Sequence, residues 1–348
     1  MAGFKYTIQD KNGATGIEIT GYEGEIRALY LPEEIDGAPV RSIGKFAFDG
    51  RRDLGEVHLP GSLRTLGLFA FRNCISLRSM ELYNTTEDYY DGVIRACTSL
   101  RDITVHCVLP DNYIIVRELL QDTDAALTFH LIREDSQDDS QKTGAFPNAG
   151  TGEAARPAGN RTGSGEDIPQ TFRQMDENGN NEEQPPRIIE LTFPEYVSET
   201  NEDTMARAIH ISIEGAGMAY RECVSKRSID FAGYDRLLER LTEYDADTAA
   251  DICLGRLRYP VALDPSARIR YEEYLRAHAG QVLIKVTREK RTDVVRFLAE
   301  RALIPEEDIA DAVAFASREE NTEICGILMD YRHTHFDRAQ PSTLSLDW

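Results

Sequence analysis

In the first third of the chain the apolar positions come in short alternating runs. Leu54, Val57 and Leu59 are apolar, while Glu56 and His58 between them are polar. That is the period-two pattern of a strand with one buried face. The pattern returns at Leu77, Met80 and Leu82 and again at Leu100, Ile103 and Val105, each time 23 residues on. The connecting stretch keeps the same step: Gly44 recurs as Gly67, Phe48 as Phe71, and Cys74 as Cys97. A fixed period of this length predicts a solenoid, in which each coil buries its apolar face only by stacking on its neighbours. Each coil reads as a strand, a turn and a return that brings an aromatic back to the core. Ile114–Leu120 then reads as a helix and Leu127–Leu131 as a last strand that caps the array.

Beyond residue 187 the period changes to that of helices. Leu237-Leu238-x-x-Leu241, Val294-Val295-x-x-Leu298 and Ile309-x-x-Ala312-Val313 are spaced to share a helix face. Thr200-x-x-Asp203 and Asp264-Pro265-Ser266 read as helix starts, and Pro305-Glu306-Glu307 as a first turn favoured by the helix dipole. A weak repeat at a step of 30 relates Thr292–Leu298 to Thr322–Leu328, and paired helices at that spacing are similar to ankyrin-type arrays. The Thr-Pro-Leu-His signature of those arrays is absent.

Between these parts, residues 134–186 hold seven Gly and five Pro, eleven acidic residues against four basic ones, and no Leu, Val, Tyr, Trp or Cys. Such a stretch buries too little apolar surface to offset its ordering entropy, so it is expected to be disordered. As a flexible chain it would separate its flanks by about 40 Å on average. The expected organisation is therefore a solenoid over 1–133, an acidic linker over 134–186, a helical domain over 187–333 and a flexible tail over 334–348.

The solenoid residues carry a resemblance. The run Leu-x-x-Val/Met-x-Leu-Pro, then Ile/Leu-Gly-x-x-Ala-Phe, then Cys-x-Ser-Leu resembles the BspA-like, treponemal-type leucine-rich repeat. It stands here as Leu54–Ser62, Leu66–Phe71 and Asn73–Leu77, then as Ala96–Leu100, and covers about residues 5–107. The third coil departs from it, with Tyr89-Tyr90-Asp91-Gly92-Val93-Ile94 in place of the Gly-x-x-Ala-Phe turn. The resemblance implies a curved, right-handed solenoid used in protein recognition, and many members of the family lie on cell surfaces. The fold class expected is thus α+β multidomain: an N-terminal leucine-rich-repeat solenoid of short parallel strands plus a C-terminal all-α, helical-repeat-like domain.

Composition narrows the function. The 39 basic and 60 acidic residues leave a formal charge of −21, which opposes both a nucleic-acid backbone and an anionic membrane. No run nears the length of about 18 apolar residues that a membrane span needs. The first residues lack the apolar core of a signal peptide, so a cytoplasmic location is expected. The six cysteines include no C-x-x-C pair and are expected to be free, with Cys74 and Cys97 packed inside successive coils.

Candidate chemistry is sparse. His333-x-His335 with Asp330 and Asp337 has metal-ligand residue types, but it reads better as a solvated helix end. Gly215-Ala216-Gly217 lacks the pattern of a phosphate loop. The basic run Lys285, Arg288, Lys290 and Arg291 is diluted by Glu289 and Asp293. Asn84-Thr85-Thr86 matches a glycosylation acceptor. No catalytic residues and no cofactor are assigned, and the protein is not expected to be an enzyme. The informative positions are those facing out from the strands: Glu56, Ser79 and Asp102 in one row; Tyr30, His58, Glu81 and Thr104 in a second; Tyr83 and His106 in a third. These nine residues are the candidate binding face for a protein partner, and their acidic content suggests a partner with a basic surface. The expected function is a non-catalytic adaptor or scaffold that binds protein, with neither nucleic acid nor membrane as partner. The alternatives are a surface or secreted recognition protein, or an enzyme site in the helical domain around His210 or His278.

Overall fold

The computed structural model describes residues 3–11, 14–133, 188–203, 208–241 and 245–336. These residues form one compact unit. In chain order the strands are β1 (Gly3–Lys11), β2 (Ala14–Glu23), β3 (Ala28–Tyr30), β4 (Glu34–Ile35), β5 (Ala38–Ile43), β6 (Glu56–His58), β7 (Thr65–Leu66), β8 (Ser79–Tyr83), β9 (Asp88–Tyr89) and β10 (Asp102–Cys107). Helix α1 (Ile114–Gln121) follows, then β11 (Leu127–Arg133), β12 (Ile188–Phe193), β13 (Val197–Asp203) and β14 (Ala208–Glu214). The remaining helices are α2 (Gly217–Glu222), α3 (Phe231–Arg236), α4 (Ala246–Arg258), α5 (Pro265–Ala277), α6 (Ala279–Arg288), α7 (Thr292–Glu300), α8 (Glu306–Arg318) and α9 (Thr322–His335).

The 23-residue step is a structural step. Strands β3, β6, β8, β10 and β11 lie side by side and parallel, with Val57 beside Met80 and Met80 beside Ile103. A second sheet, ordered β1-β2-β5-β7-β9, forms another wall of the coil, and the β1–β2 hairpin begins it. Between the walls the apolar residues stack by type. Phe48 and Phe71 are buried with ring centroids 5.1 Å apart and planes nearly parallel, a contact worth roughly 0.5–1.5 kcal/mol beyond burial. Ile94 takes the same place in the third coil and is also buried, so the departed motif still fills its slot.

Two turns per coil need left-handed backbone. Phe46, Phe69 and Gly92 have φ of 59°, 55° and 72°, while Gly50, Asn73 and Ala96 have 72°, 60° and 61°. Glycine and asparagine suit that region; the bulky residues there are held by the coils on either side. Gly67 is required for a different reason. A Cβ on it would stand 2.7 Å from the carbonyl oxygen of Ile43 in the coil before.

Cys74 and Cys97 lie where expected, buried, each thiol donating to a carbonyl one coil back: Phe48 O at 3.2 Å and Phe71 O at 3.1 Å. Asn84 is buried too. Its amide donates to Leu109 O at 2.7 Å and Asn112 O at 3.1 Å, and its oxygen accepts from the amides of Val108 and Leu109, both at 3.0 Å. It is a structural bracket for the turn after β10, not an exposed acceptor for a glycan.

The chain after β11 differs from the sequence reading. Leu127–Leu131 does form a strand, but it is not the last, because β12 pairs with it antiparallel, Ile132 opposite Ile188 and Leu127 opposite Phe193. Residues 188–193 therefore belong to the solenoid's sheet and not to a helix. The expected linker at 134–186 lies outside the described residues. Its two flanks, though, sit on neighbouring strands about 5 Å apart, so the expected 40 Å separation does not hold. Thr200, read as a helix start, lies in β13, which pairs with β14. The β11–β12 pairing joins residues far apart in the chain and leaves little local trace, whereas β13 and β14 are a local hairpin whose alternating Ile209, Ile211 and Ile213 are a strand signal in the sequence.

From α2 onward the described residues are mainly helical, and Arg221 ties them to the solenoid. Its buried guanidinium donates to four carbonyls: Leu120 at 3.2 Å, Ala125 at 2.6 Å, Pro194 at 2.5 Å and Gly217 at 3.0 Å. Burial lowers its pKa to about 10, which still leaves it charged at neutral pH. Gly215, with φ of 90°, makes the turn into α2, and a Cβ on Gly217 would stand 2.2 Å from Pro194 O. Helix α4 packs on β12. The expected starts at Asp264 and Pro305 cap α5 and α8, with Asp264 Oδ1 accepting from the Ser266 amide.

Helices α6 to α9 form two hairpins that stack α6 on α8 and α7 on α9. The 30-residue step is visible in their turns. Lys290 and Glu320 are left-handed, with φ of 58° and 55°, and the residue after each closes back onto the helix, Arg291 N to Val286 O and Asn321 N to Ala316 O. Both closures are 2.9 Å long, the geometry of a helix C-cap. Helix α9 includes residues 334–335 of the expected tail, and Trp348 lies outside the described residues.

Candidate functional site

Strand register sets out the candidate face. Ala28, Glu56, Ser79, Asp102, Thr128 and Thr192 form one row. Tyr30, His58, Glu81, Thr104, His130 and Glu190 form the second, and Tyr83, His106, Ile132 and Ile188 the third. All nine residues expected from the sequence stand in the expected rows. His130 and Glu190 extend them, and the alternation of Leu127, Phe129 and Leu131 already placed His130 outward. Glu190 could not be read, because β12 arrives from a distant part of the chain.

The structure joins five of the nine into a chain. The Tyr30 ring stacks on His58 at 4.2 Å. His58 Nδ1 lies 2.8 Å from Glu81 Oε2, and His106 Nε2 lies 2.6 Å from Glu81 Oε1. His106 in turn stacks on Tyr83 at 4.6 Å. Burial alone would raise the Glu81 pKa, but hydrogen bonds from His106 and His58 outweigh it and hold the carboxyl below its usual value. His58 Nε2 is shielded from solvent and has no hydrogen-bond partner, with Glu56 Oε2 3.9 Å away. Ser79 and Thr104 contribute surface only.

A second group lies further along the face. His130 sits between Asp102 Oδ1 at 3.6 Å and Glu190 Oε2 at 3.5 Å. Burial opposes its charge, yet the hydrogen bonds to Asp102 and Glu190 win and lift its pKa to about 9. It is therefore an imidazolium at neutral pH. Here the face meets the helices across a cleft of about 840 Å³, walled on the far side by residues that include Asp251, Arg258, Lys285 and Arg291. Lys285 Nζ and Arg291 Nη1 share Asp251, at 2.5 and 3.1 Å, and Arg258 pairs with Asp293. Part of the basic run read as a solvated helix end thus lines this cleft.

Other candidates do not converge. His278 Nδ1 lies 2.8 Å from Tyr274 O, and His335 Nδ1 lies 3.1 Å from Tyr331 O, so each meets its own helix. His210 lies in β14, and Asp337 is outside the described residues. Among the described residues no three His, Cys, Asp or Glu side chains gather as a metal site.

A coil of 23 residues, a parallel sheet on one wall and a ladder of buried Phe and Cys define a leucine-rich-repeat solenoid. Residues 26–114 match the BspA type leucine rich repeat region in six copies, so the repeat in this chain is of that type. Solved structures of bacterial leucine-rich-repeat proteins are similar to it in part. A leucine rich repeat protein of T. pallidum shares 25% identity over 29% of this chain and 68% of its own, with a TM-score of 0.21. One from Bacteroides capillosus shares 24% over 28% and 76%, with a TM-score of 0.24. A leucine rich cell surface protein of Faecalibacterium prausnitzii shares 20% over 34% and 35%, with a TM-score of 0.26. None of the curated proteins compared with this chain matches it.

Proposed function

We propose that the protein is a non-catalytic adaptor that holds a protein partner against the concave face of its solenoid. The repeat type supports a role in protein interaction or surface recognition. The observation that carries the finer reading is the chain Tyr30–His58–Glu81–His106–Tyr83. Tyr30 is 62% exposed, an unusual state for a large aromatic, yet its ring is held by the stack on His58. An aromatic fixed in one orientation loses little entropy on binding, the property expected of an interface anchor.

The test is capture of a partner by tagged full-length protein, beside the variant Tyr30→Ala/His58→Ala/Glu81→Ala checked by circular dichroism. A stoichiometric partner lost from the folded variant supports the reading. A partner retained by it moves the site elsewhere.

A further inference from the structure

The acidic residues of the candidate face suggested a basic partner, but the structure shows most of them already in use. Glu81 is held by two imidazoles, and Asp102 and Glu190 flank His130. Glu56 and Asp102 both keep more than half of their side chains in solvent, each near one imidazole: Glu56 lies 3.9 Å from His58 and Asp102 3.6 Å from His130. The charged side chains on this face with no ionisable partner are arginines.

Arg27, Arg78 and Arg101 are the residues immediately before β3, β8 and β10. Their main chains form one ladder: Gly55 N to Arg27 O at 2.7 Å, Arg78 N to Gly55 O at 2.8 Å, and Arg101 N to Arg78 O at 3.0 Å. The three arginines therefore line one rim of the strand face, with Gly55 in the gap. All three are exposed. Among the described residues Arg27 and Arg78 meet no acceptor, and Arg101 donates only to the carbonyls of Thr98 at 3.1 Å and Leu100 at 2.8 Å. Four other arginines of the solenoid instead stand against carboxylates: Arg51 holds Asp53, Arg72 holds Asp49, Arg95 holds Asp91 and Arg64 lies near Glu87. Arg101 also lines the cleft, so the rim runs into the mouth between sheet and helices.

We infer that the partner bound on this face presents an acidic polypeptide segment, whose carboxylates pair with Arg27, Arg78 and Arg101 along the rim of the face that carries the exposed Tyr30 ring. The inference rests on the concave-face reading and gives the partner its charge. A guanidinium fork matches a carboxylate with two hydrogen bonds. Neighbouring strands stand about 4.8 Å apart, so long arginine side chains reach carboxylates at alternate positions of an extended peptide. A nucleic acid fits less well, because three cations on a chain of charge −21 do not make a track for a phosphate backbone.

The experiment selects random short peptides displayed on phage against the full-length protein and reads the charge of those enriched. It then measures the best peptide, fluorescently labelled, against Arg78→Ser/Arg101→Ser and against Tyr30→Ala/His58→Ala. The expected result is enrichment of Asp and Glu, binding that weakens with salt, and a loss of about tenfold or more in both folded variants. Enrichment of Lys and Arg, with binding lost only in Tyr30→Ala/His58→Ala, overturns the acidic partner and leaves the face as the site. Peptides indifferent to both variants overturn the face and the inference together. Single-stranded DNA that displaces the acidic peptide at equal charge concentration also overturns it, in favour of a general polyanion surface.

Discussion

Ile132 and Ile188 are register partners across an antiparallel strand pair, although residues 133–187 lie between them in the chain. The two ends of that segment are held by β11 and β12, both part of the sheet that carries the candidate face. The strands and the helices behind them form one body because β12 belongs to the sheet and α4 packs on it.

Replacing 133–187 by a two-residue Asn-Gly turn, so that Ile132 and Ile188 flank it, is therefore expected to leave the fold intact, since such a turn joins antiparallel neighbours. Loop-closure cost falls by about 0.6 kcal/mol for each halving of length, so stability rises by up to roughly 3 kcal/mol. Urea denaturation of the two proteins checks this. A shortened protein that fails to fold, or is less stable, contradicts the β11–β12 pairing.

His130 predicts a pH dependence on the alkaline side. Its folded pKa, about 9, lies above the unfolded value of about 6.5. The stability it contributes is fully present below about pH 6.5 and is lost as pH rises through 9. Denaturation midpoints between neutral pH and about pH 10 are expected to fall by more in the natural protein than in His130→Gln. Equal slopes would mean that Asp102 and Glu190 do not hold the imidazolium.

Arg256 and Asp235 are almost fully buried and paired through two bonds, 2.7 and 2.9 Å long, and Tyr271 donates to Asp235 at 2.7 Å. Arg256→Met leaves a buried carboxylate with only Tyr271, at a cost of about 3–5 kcal/mol. Asp235→Leu strands the guanidinium at a similar cost. The double variant is expected to lose much less than the sum, and a double-mutant cycle by thermal or chemical denaturation measures the difference.

Asn84→Ala is expected to cost about 1–3 kcal/mol, because it leaves the Val108 and Leu109 amides without their acceptor. The same burial predicts that Asn84 carries no glycan when the protein is passed through a eukaryotic secretory route. Mass spectrometry of the peptide containing Asn84 reads this, and occupancy of the site would contradict the bracket.

The candidate face shows how far a repeat can be read. Glu56, Ser79 and Asp102 could be aligned from spacing because each 23-residue step advances one strand. What spacing does not carry is reach: Glu81 lies two residues before Tyr83 in the sequence, yet it bridges His58 and His106 from the coils on either side. Those pairs depend on side-chain length and rotamer, not on period. The count of acidic residues on the face therefore gave one expectation for the partner and their pairing gives the opposite one.

By itself the sequence determined the coil. Phe48 and Phe71, Cys74 and Cys97, and the strands from Glu56 to Cys107 follow from contacts between neighbouring coils, and such contacts imprint a period on the residues that make them. It also determined most of the helices, whose hydrogen bonds are local. The tertiary structure decided where the solenoid ends and what covers it. Strand β12, the Arg221 clasp on the carbonyls of Leu120, Ala125 and Pro194 and the cleft beside His130 all join residues far apart in the chain. Backbone carbonyls have no sequence signature, and a pairing without a period leaves none.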